Sequence, residues 1–337
     1  MSGRAADAVA PQVPARDAPR GTAGQRLRAW SASALSWLVS HLPEGFAIRA
    51  ADLAGSVWYR MADDRRRRAR RNLARVVRYL ADRGLGGELV RRAADDPRAL
   101  DRLVRSAFRH GVRYYLEVAR TPTITPGFIR ERLMIETPDE VDRAFAEIGP
   151  MIFVGLHFGA IELPALYFVN RTGSTATVPM ETIADPELQR YFVRTRGKVG
   201  LRIVGLREAR RELAAALRRN EPVGLVGDRD LTGGGLEVPF FGAPARLPIG
   251  PALLALETGA PLYVVAVRRA GPGRYRGGLR PIEIPSEGSR RERLTATIES
   301  LARAFEETVA AAPDQWWAIF FPIWDDLEPR ATEADAA

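Results

Sequence analysis

The 337-residue sequence has no cysteine, a single lysine (Lys198) and three histidines, His41, His110 and His157. Without cysteine there is no disulfide, no thiolate nucleophile and no Cys-ligated zinc. Three scattered histidines leave little from which to build a transition-metal site, so no metal is expected. The early arginines are not followed by an apolar run, so residues 1–24, rich in Ala, Pro and Gly, read as a disordered tail and not as a signal peptide. The next apolar stretch, 26–43, is too short for the about 20 residues that a membrane-spanning helix needs.

What is present describes a folded protein. Hydrophobic residues make up 46% and charged residues 27%, and the length suffices for one large core or two modest ones. The net charge of +9 calls for an anionic partner. A GC-rich codon bias accounts for arginine over lysine, but not for where the arginines sit. RLRAWSASALSWLVSHLP, 26–43, carries Trp30, Leu35, Trp37, Leu38 and Val39 beside Arg26 and Arg28, the pattern of a helix lying at headgroup depth. MADDRRRRARRNLARVVRYL, 61–80, leads from an arginine cluster into an amphipathic helix with Leu73, Val76, Val77 and Leu80. Such clusters meet nucleic acid or anionic lipid. No helix-turn-helix or RNA-recognition pattern accompanies this one, and the neighbouring tryptophans favour lipid. An N-terminal helical, membrane-associating region is therefore expected, with no nucleic acid partner.

Helix continues over 88–120. From residue 150 short apolar strands alternate with helices. Strands are expected at 151–156, 175–180, 201–206, 223–228 and 261–269, with helices up to 170 and at 185–197, 207–220, 251–259 and 289–312. This alternation predicts an α/β fold with a mostly parallel sheet flanked by helices. Residues 25–325 form one domain, helical over 25–125 and α/β over 126–325, with an aromatic packed segment at 315–324 and a flexible C-terminus at 326–337.

The chemistry gathers at two strand ends. His157 closes the strand MIFVGL, and Glu162 follows five residues later. Were both helical, they would lie about 140° apart. They meet only if His157 precedes the helix, which Gly159 makes easy. The acid then fixes the imidazole tautomer and leaves the other nitrogen to take a proton from a hydroxyl. Asp228, Arg229 and Asp230 end a second strand, and a Gly-rich loop (233–235) and a Phe-Phe-Gly turn (240–242) follow. In open α/β sheets such ends converge on one crevice, which offers Asp228 as a further partner for the imidazole. The bland readings are a satisfied strand-end histidine, a surface Asp-Arg-Asp turn and core phenylalanines.

Together, LHFGAIE, DRDL, EVPFFG and LPIGPALLALETGAPL resemble the bacterial late lipid A acyltransferases, and within them the phosphatidylinositol mannoside acyltransferases. The resemblance covers roughly 26–325 and implies a glycerolipid acyltransferase-like fold. It also implies a peripheral enzyme on the cytoplasmic face of the plasma membrane, moving an acyl chain from acyl-CoA or acyl carrier protein to a lipid hydroxyl. It makes His157 the general base, Glu162 and Asp228 its acidic partners, and Arg194 or Arg196 a substrate-positioning arginine. Ala160-Ile161 replaces the family's usual Asn-Trp between the histidine and the acid, a departure that bears on the acceptor. Arg194, Arg196 or backbone amides near Gly159 are offered to the oxyanion, and Arg229 to substrate phosphate. Leu163, Leu166, Phe240 and Phe241 are offered as acyl-groove walls. No cofactor and no acyl-enzyme are required, in keeping with the missing cysteine and G-x-S-x-G elbow. Two other classes fit parts of the pattern: a metal-dependent glycosyltransferase holding its ion on Asp228 and Asp230, and a non-catalytic anionic-lipid- or nucleic-acid-binding protein.

Overall fold

The computed structural model describes residues 21–328 apart from 147, 182 and 232. The expected N-terminal tail and flexible C-terminus therefore lie mostly outside the described residues. Ala23 and Gly24, assigned to the tail, instead begin the first helix, because Thr22 and Gln25 form a capping box there.

Five helices come first: α1 (Ala23–His41), α2 (Glu44–Met61), α3 (Asp63–Asp82), α4 (Gly87–Asp95) and α5 (Pro97–Arg120). The helix expected over 88–120 is two, because Asp96 accepts from the amides of Arg98 and Ala99 while Pro97 takes the first helical position. The remaining elements are α6 (Pro126–Arg132), β1 (Leu133–Ile135), α7 (Pro138–Phe145), β2 (Ile152–Gly155), α8 (Leu163–Thr172), β3 (Ala176–Met180) and α9 (Pro186–Gly197). Then come β4 (Leu201–Gly205), α10 (Ala209–Arg218), β5 (Val223–Val226), β6 (Leu236–Phe240), β7 (Ala243–Leu247), α11 (Gly250–Thr258), β8 (Leu262–Gly271), β9 (Arg274–Ile282) and α12 (Arg290–Ala310).

Seven strands form one sheet in the order β1-β9-β8-β2-β5-β3-β4. β8, β2, β5, β3 and β4 are mutually parallel, while the β8–β9 hairpin turns β9 and its parallel neighbour β1 the other way. A separate hairpin pairs β6 with β7. The alternation of strands and helices predicted the parallel part. It missed β1, β9 and the β6–β7 hairpin.

The sheet separates two cores. Ile152 and Val154 of β2 face the larger, shared with α3, α5, α10 and α12. Phe153, between them, faces the smaller, beneath α7, α8 and α9. A central strand buried on both faces needs the unbroken apolar run that β2 has.

The first two helices are built inside out. α1 buries Ser36, whose hydroxyl donates to the Ala119 carbonyl of α5, and exposes Leu27, Trp30, Trp37 and Leu38. α2 packs Ala47, Ala51 and Gly55 inward and exposes Phe46, Leu53, Val57 and Met61. Small residues let these helices sit close to α5: a Cβ on Gly55 would stand 2.6 Å from the Arg109 Cα. Among the described residues no helix is long and apolar enough to cross a membrane.

The arginine run on α3 is largely engaged within the chain. Arg66 pairs with Asp63, Arg67 with Asp64, Arg68 with Glu328, Arg70 with Asp101 and Arg75 with Asp326. That charge was expected to face an anionic surface. Acids one helical turn earlier and at the chain's end take most of it.

Candidate active site

Parallel pairing aligns Gly155 of β2 with Val226 of β5, and the Gly227 amide extends the ladder to the Gly155 carbonyl at 3.0 Å. Two residues beyond that register stand His157 and Asp228. Asp228 Oδ1 lies 2.7 Å from His157 Nδ1, and Oδ2 accepts from the His157 amide at 3.0 Å and from Trp316 Nε1 at 2.7 Å.

The Asp228 side chain is wholly buried. Burial works to raise its pKa, but the adjacent imidazole and the hydrogen bonds from His157 and Trp316 hold it below the ordinary carboxylate value. An ionised carboxylate only accepts, so the proton on this imidazole sits on Nδ1 and Nε2 carries a free lone pair. His157 stays partly open and lines a large cavity.

The turn that holds the histidine depends on glycine. Gly159 has φ +55°, and a Cβ there would fall 2.0 Å from the Val267 carbonyl oxygen. The Gly159 amide donates to Gln315, the Ala160 amide to Val267, and the Gly159 carbonyl accepts from the Arg269 guanidinium. Arg269 is held in turn by Glu117 at 2.6 Å. The amides of residues 157–160 are all satisfied inside the protein. They are therefore withdrawn as the oxyanion donors expected near Gly159.

Glu162 takes a different place from the one expected. It stands at the N-cap position of α8 without a capping hydrogen bond, so His157 does precede the helix, but the carboxylate pairs with Arg196 at 2.5 Å and not with His157. Burial works to lower the Arg196 pKa, and Glu162 outweighs it and raises it. The two candidate arginines of α9, Arg194 and Arg196, take different places. Two residues apart on a helix they point to opposite sides, so Arg196 lines the cavity while Arg194 is exposed.

The cavity measures about 630 Å³. His157, Glu162, Arg196 and Arg229 make its polar end. Its apolar part lies between the sheet and α7 and α8, where the rings of Phe145, Phe153 and Phe168 pack with centroids within 6.1 Å of one another. Phe153 stands four residues before His157, about 13 Å along an extended strand. The walls are not those expected. Phe240 and Phe241 are buried against Trp316 and Trp324, and Leu163 and Leu166 pack beneath α6 and β8. The two phenylalanines act at one remove, by seating the indole that donates to Asp228.

The metal reading also loses its ligands. Asp228 is engaged by His157 and Trp316, and Asp230 accepts from the Gly233 and Gly235 amides of its own loop. Sequence reasoning missed Trp316 and Trp317. Trp316 bonds Asp228; Trp317 donates its amide to the His157 carbonyl, and its ring meets the imidazole edge-on at 5.0 Å. Tyr114, stacked 5.2 Å from Trp317, also lines the cavity and was not anticipated. Nothing local in QWWAIFFPIW distinguishes a donor to Asp228 from core.

A buried carboxylate holds an imidazole that opens on an apolar hollow, and the chain matches the family model described as bacterial lipid A biosynthesis acyltransferase over residues 19–322. It belongs to that family and is an acyltransferase. It is 32% identical over 253 residues to a phosphatidylinositol mannoside acyltransferase of Mycolicibacterium smegmatis, covering 73% of this chain and 76% of the relative. A phosphatidylinositol mannoside acyltransferase of Mycobacterium tuberculosis is 31% identical over 304 residues, 88% of this chain and 89% of the relative.

Proposed function

We propose that this acyltransferase moves a fatty acyl chain from a thioester, acyl-CoA or acyl carrier protein, to a hydroxyl of a phosphatidylinositol mannoside-like glycolipid, with His157 as the general base. The observation that carries this reading is the buried Asp228 on Nδ1 of a histidine whose other nitrogen is left for the cavity.

Nε2 takes the acceptor's hydroxyl proton as the oxygen attacks the thioester carbonyl. The C–S bond then breaks, and the imidazolium returns the proton to the departing thiolate. Asp228 stabilises the transient imidazolium, a contribution of about 10²–10⁴-fold for general-base catalysis. Arg196, fixed by Glu162, offers its guanidinium to the tetrahedral oxyanion. The acyl chain occupies the hollow between the sheet and α8, which is apolar along its length away from His157. The acceptor class follows the printed names of the relatives.

The outward apolar faces of α1 and α2 support docking on a membrane as a peripheral protein. A patch with two tryptophans and a phenylalanine on top is costly in water and favourable at headgroup depth. A thioester donor puts the reaction on the cytoplasmic face of the plasma membrane.

His157→Ala tests the base directly. Transfer of labelled acyl chain to glycolipid should fall at least about 10³-fold, with the circular dichroism spectrum and vesicle binding unchanged. Retained turnover would refute the assignment.

A further inference from the structure

We propose that Arg65 and Arg229, which both lie over the ring of Phe321 at the polar end of the cavity, form a binding site for the phosphate group of a substrate. The Arg229 guanidinium carbon is 3.6 Å from the Phe321 centroid and that of Arg65 is 5.9 Å from it, with Trp58 a further 6.0 Å contact for Arg65. Both arginines line the cavity together with His157.

Neither has an ion-pair partner among the described residues, and Arg229 is half-buried while Arg65 is exposed. Arg66, Arg67, Arg68, Arg70 and Arg75 all pair with carboxylates. Among the described residues neither Arg65 nor Arg229 has a carboxylate oxygen within 4.0 Å. Burial lowers the Arg229 pKa; Asp228 and Glu181 draw it back only in part. Asp228 is already engaged by His157 and Trp316. A half-buried cation without a counter-ion is unfavourable until an anion arrives.

The rings prepare the site as well as hold it. Stacking uses the face of a guanidinium and leaves its in-plane N–H donors for an incoming oxyanion, the geometry that phosphate takes from arginine. Arg65 comes from α3 and Arg229 from the end of β5, so the site is complete only when the helical N-terminal part sits on the α/β core.

The inference rests on the acyl-transfer reading, in which both substrates carry phosphate: the donor beyond its pantetheine arm, the acceptor in its phosphodiester. The first arm of the test compares acyl-CoA with S-acyl pantetheine, which lacks phosphate, using glycolipid in vesicles and the variants Arg65→Gln, Arg65→Lys and Arg229→Gln of the full chain. With a donor site, Arg65→Gln and Arg229→Gln raise KM for acyl-CoA about tenfold or more relative to KM for S-acyl pantetheine measured with the same variant. With an acceptor site, KM for the glycolipid rises by the same factor with either donor. In both cases Arg65→Lys recovers part of the loss. The second arm titrates inorganic pyrophosphate into the protein and follows tryptophan fluorescence, which Trp58 and Trp317 report. This arm needs no turnover, so a wild-type protein that binds pyrophosphate without transferring acyl chains would sink the reading and spare the site. Wild-type kinetics for both substrates in both Gln variants, or pyrophosphate binding unaltered by them, would overturn the proposal. So would an equal loss with S-acyl pantetheine and a phosphate-free acceptor.

Discussion

His157 Nδ1 stands 2.7 Å from Oδ1 of Asp228, each residue two positions beyond the end of one of two adjacent parallel strands. The ionised acid dictates which imidazole nitrogen holds the proton. Asp228→Asn offers an amide that can donate to Nδ1, which shifts the proton to Nε2 and removes the base. The expected loss in kcat/KM is about 10³–10⁴-fold. Trp316→Phe keeps the carboxylate and the ring but deletes one donor, for a loss of about tenfold. Steady-state assays with acyl-CoA measure both, and similar losses in the two variants would sink the tautomer argument.

Trp30 and Trp37 are 68% and 64% exposed on α1, so replacing them leaves the fold intact. Each ring buried in lipid contributes about 1.5 kcal/mol or more. Trp30→Ser combined with Trp37→Ser should weaken binding to anionic vesicles about 100-fold in a sedimentation assay, with the thermal midpoint unmoved. Undiminished binding would remove α1 from the membrane contact.

Phe145 closes the aromatic cluster with Phe153 and Phe168 in the apolar part of the cavity. Phe145→Ala opens space there, so preference should move toward longer chains. At about 0.8 kcal/mol per methylene, two extra methylenes shift relative kcat/KM by about tenfold. Competition between acyl-CoAs of graded length reads this out, and an unchanged profile would mean that the chain does not reach Phe145.

His110 reports on stability. Burial first, then the guanidinium groups of Arg269, Arg113 and Arg109, push its pKa down to about 2. Unfolded, its pKa is about 6.5. Between those values the unfolded chain binds a proton that the folded one refuses, so this contribution is fully present above about pH 6.5 and is lost as pH falls below it. The slope is about 1.4 kcal/mol per pH unit. Asp314, raised by its own burial, acts in the opposite sense. Urea unfolding of His110→Asn and wild type between pH 6.5 and 5 isolates the histidine, and parallel curves would place its charge elsewhere.

Local chemistry determined what a local reading can see. An apolar run gave β2, and Asp96-Pro97 and Asp185-Pro186 start α5 and α9 because a side-chain acceptor and a missing amide suit a first helical turn. Gly159 lets the chain turn between His157 and Glu162. These residues act on neighbours within a few positions, so their sequence carries the information.

Partnership across the sheet was decided only by tertiary structure. β3 and β4 intervene in the chain, yet β5 lies beside β2, and that strand order alone hands the imidazole to Asp228 and leaves Glu162 for Arg196. The same packing sinks Phe240 and Phe241, raises Trp316 to a donor and turns the tryptophans of α1 outward. Each outcome depends on residues far away in sequence, whose spacing says nothing of which strand or helix will arrive beside them.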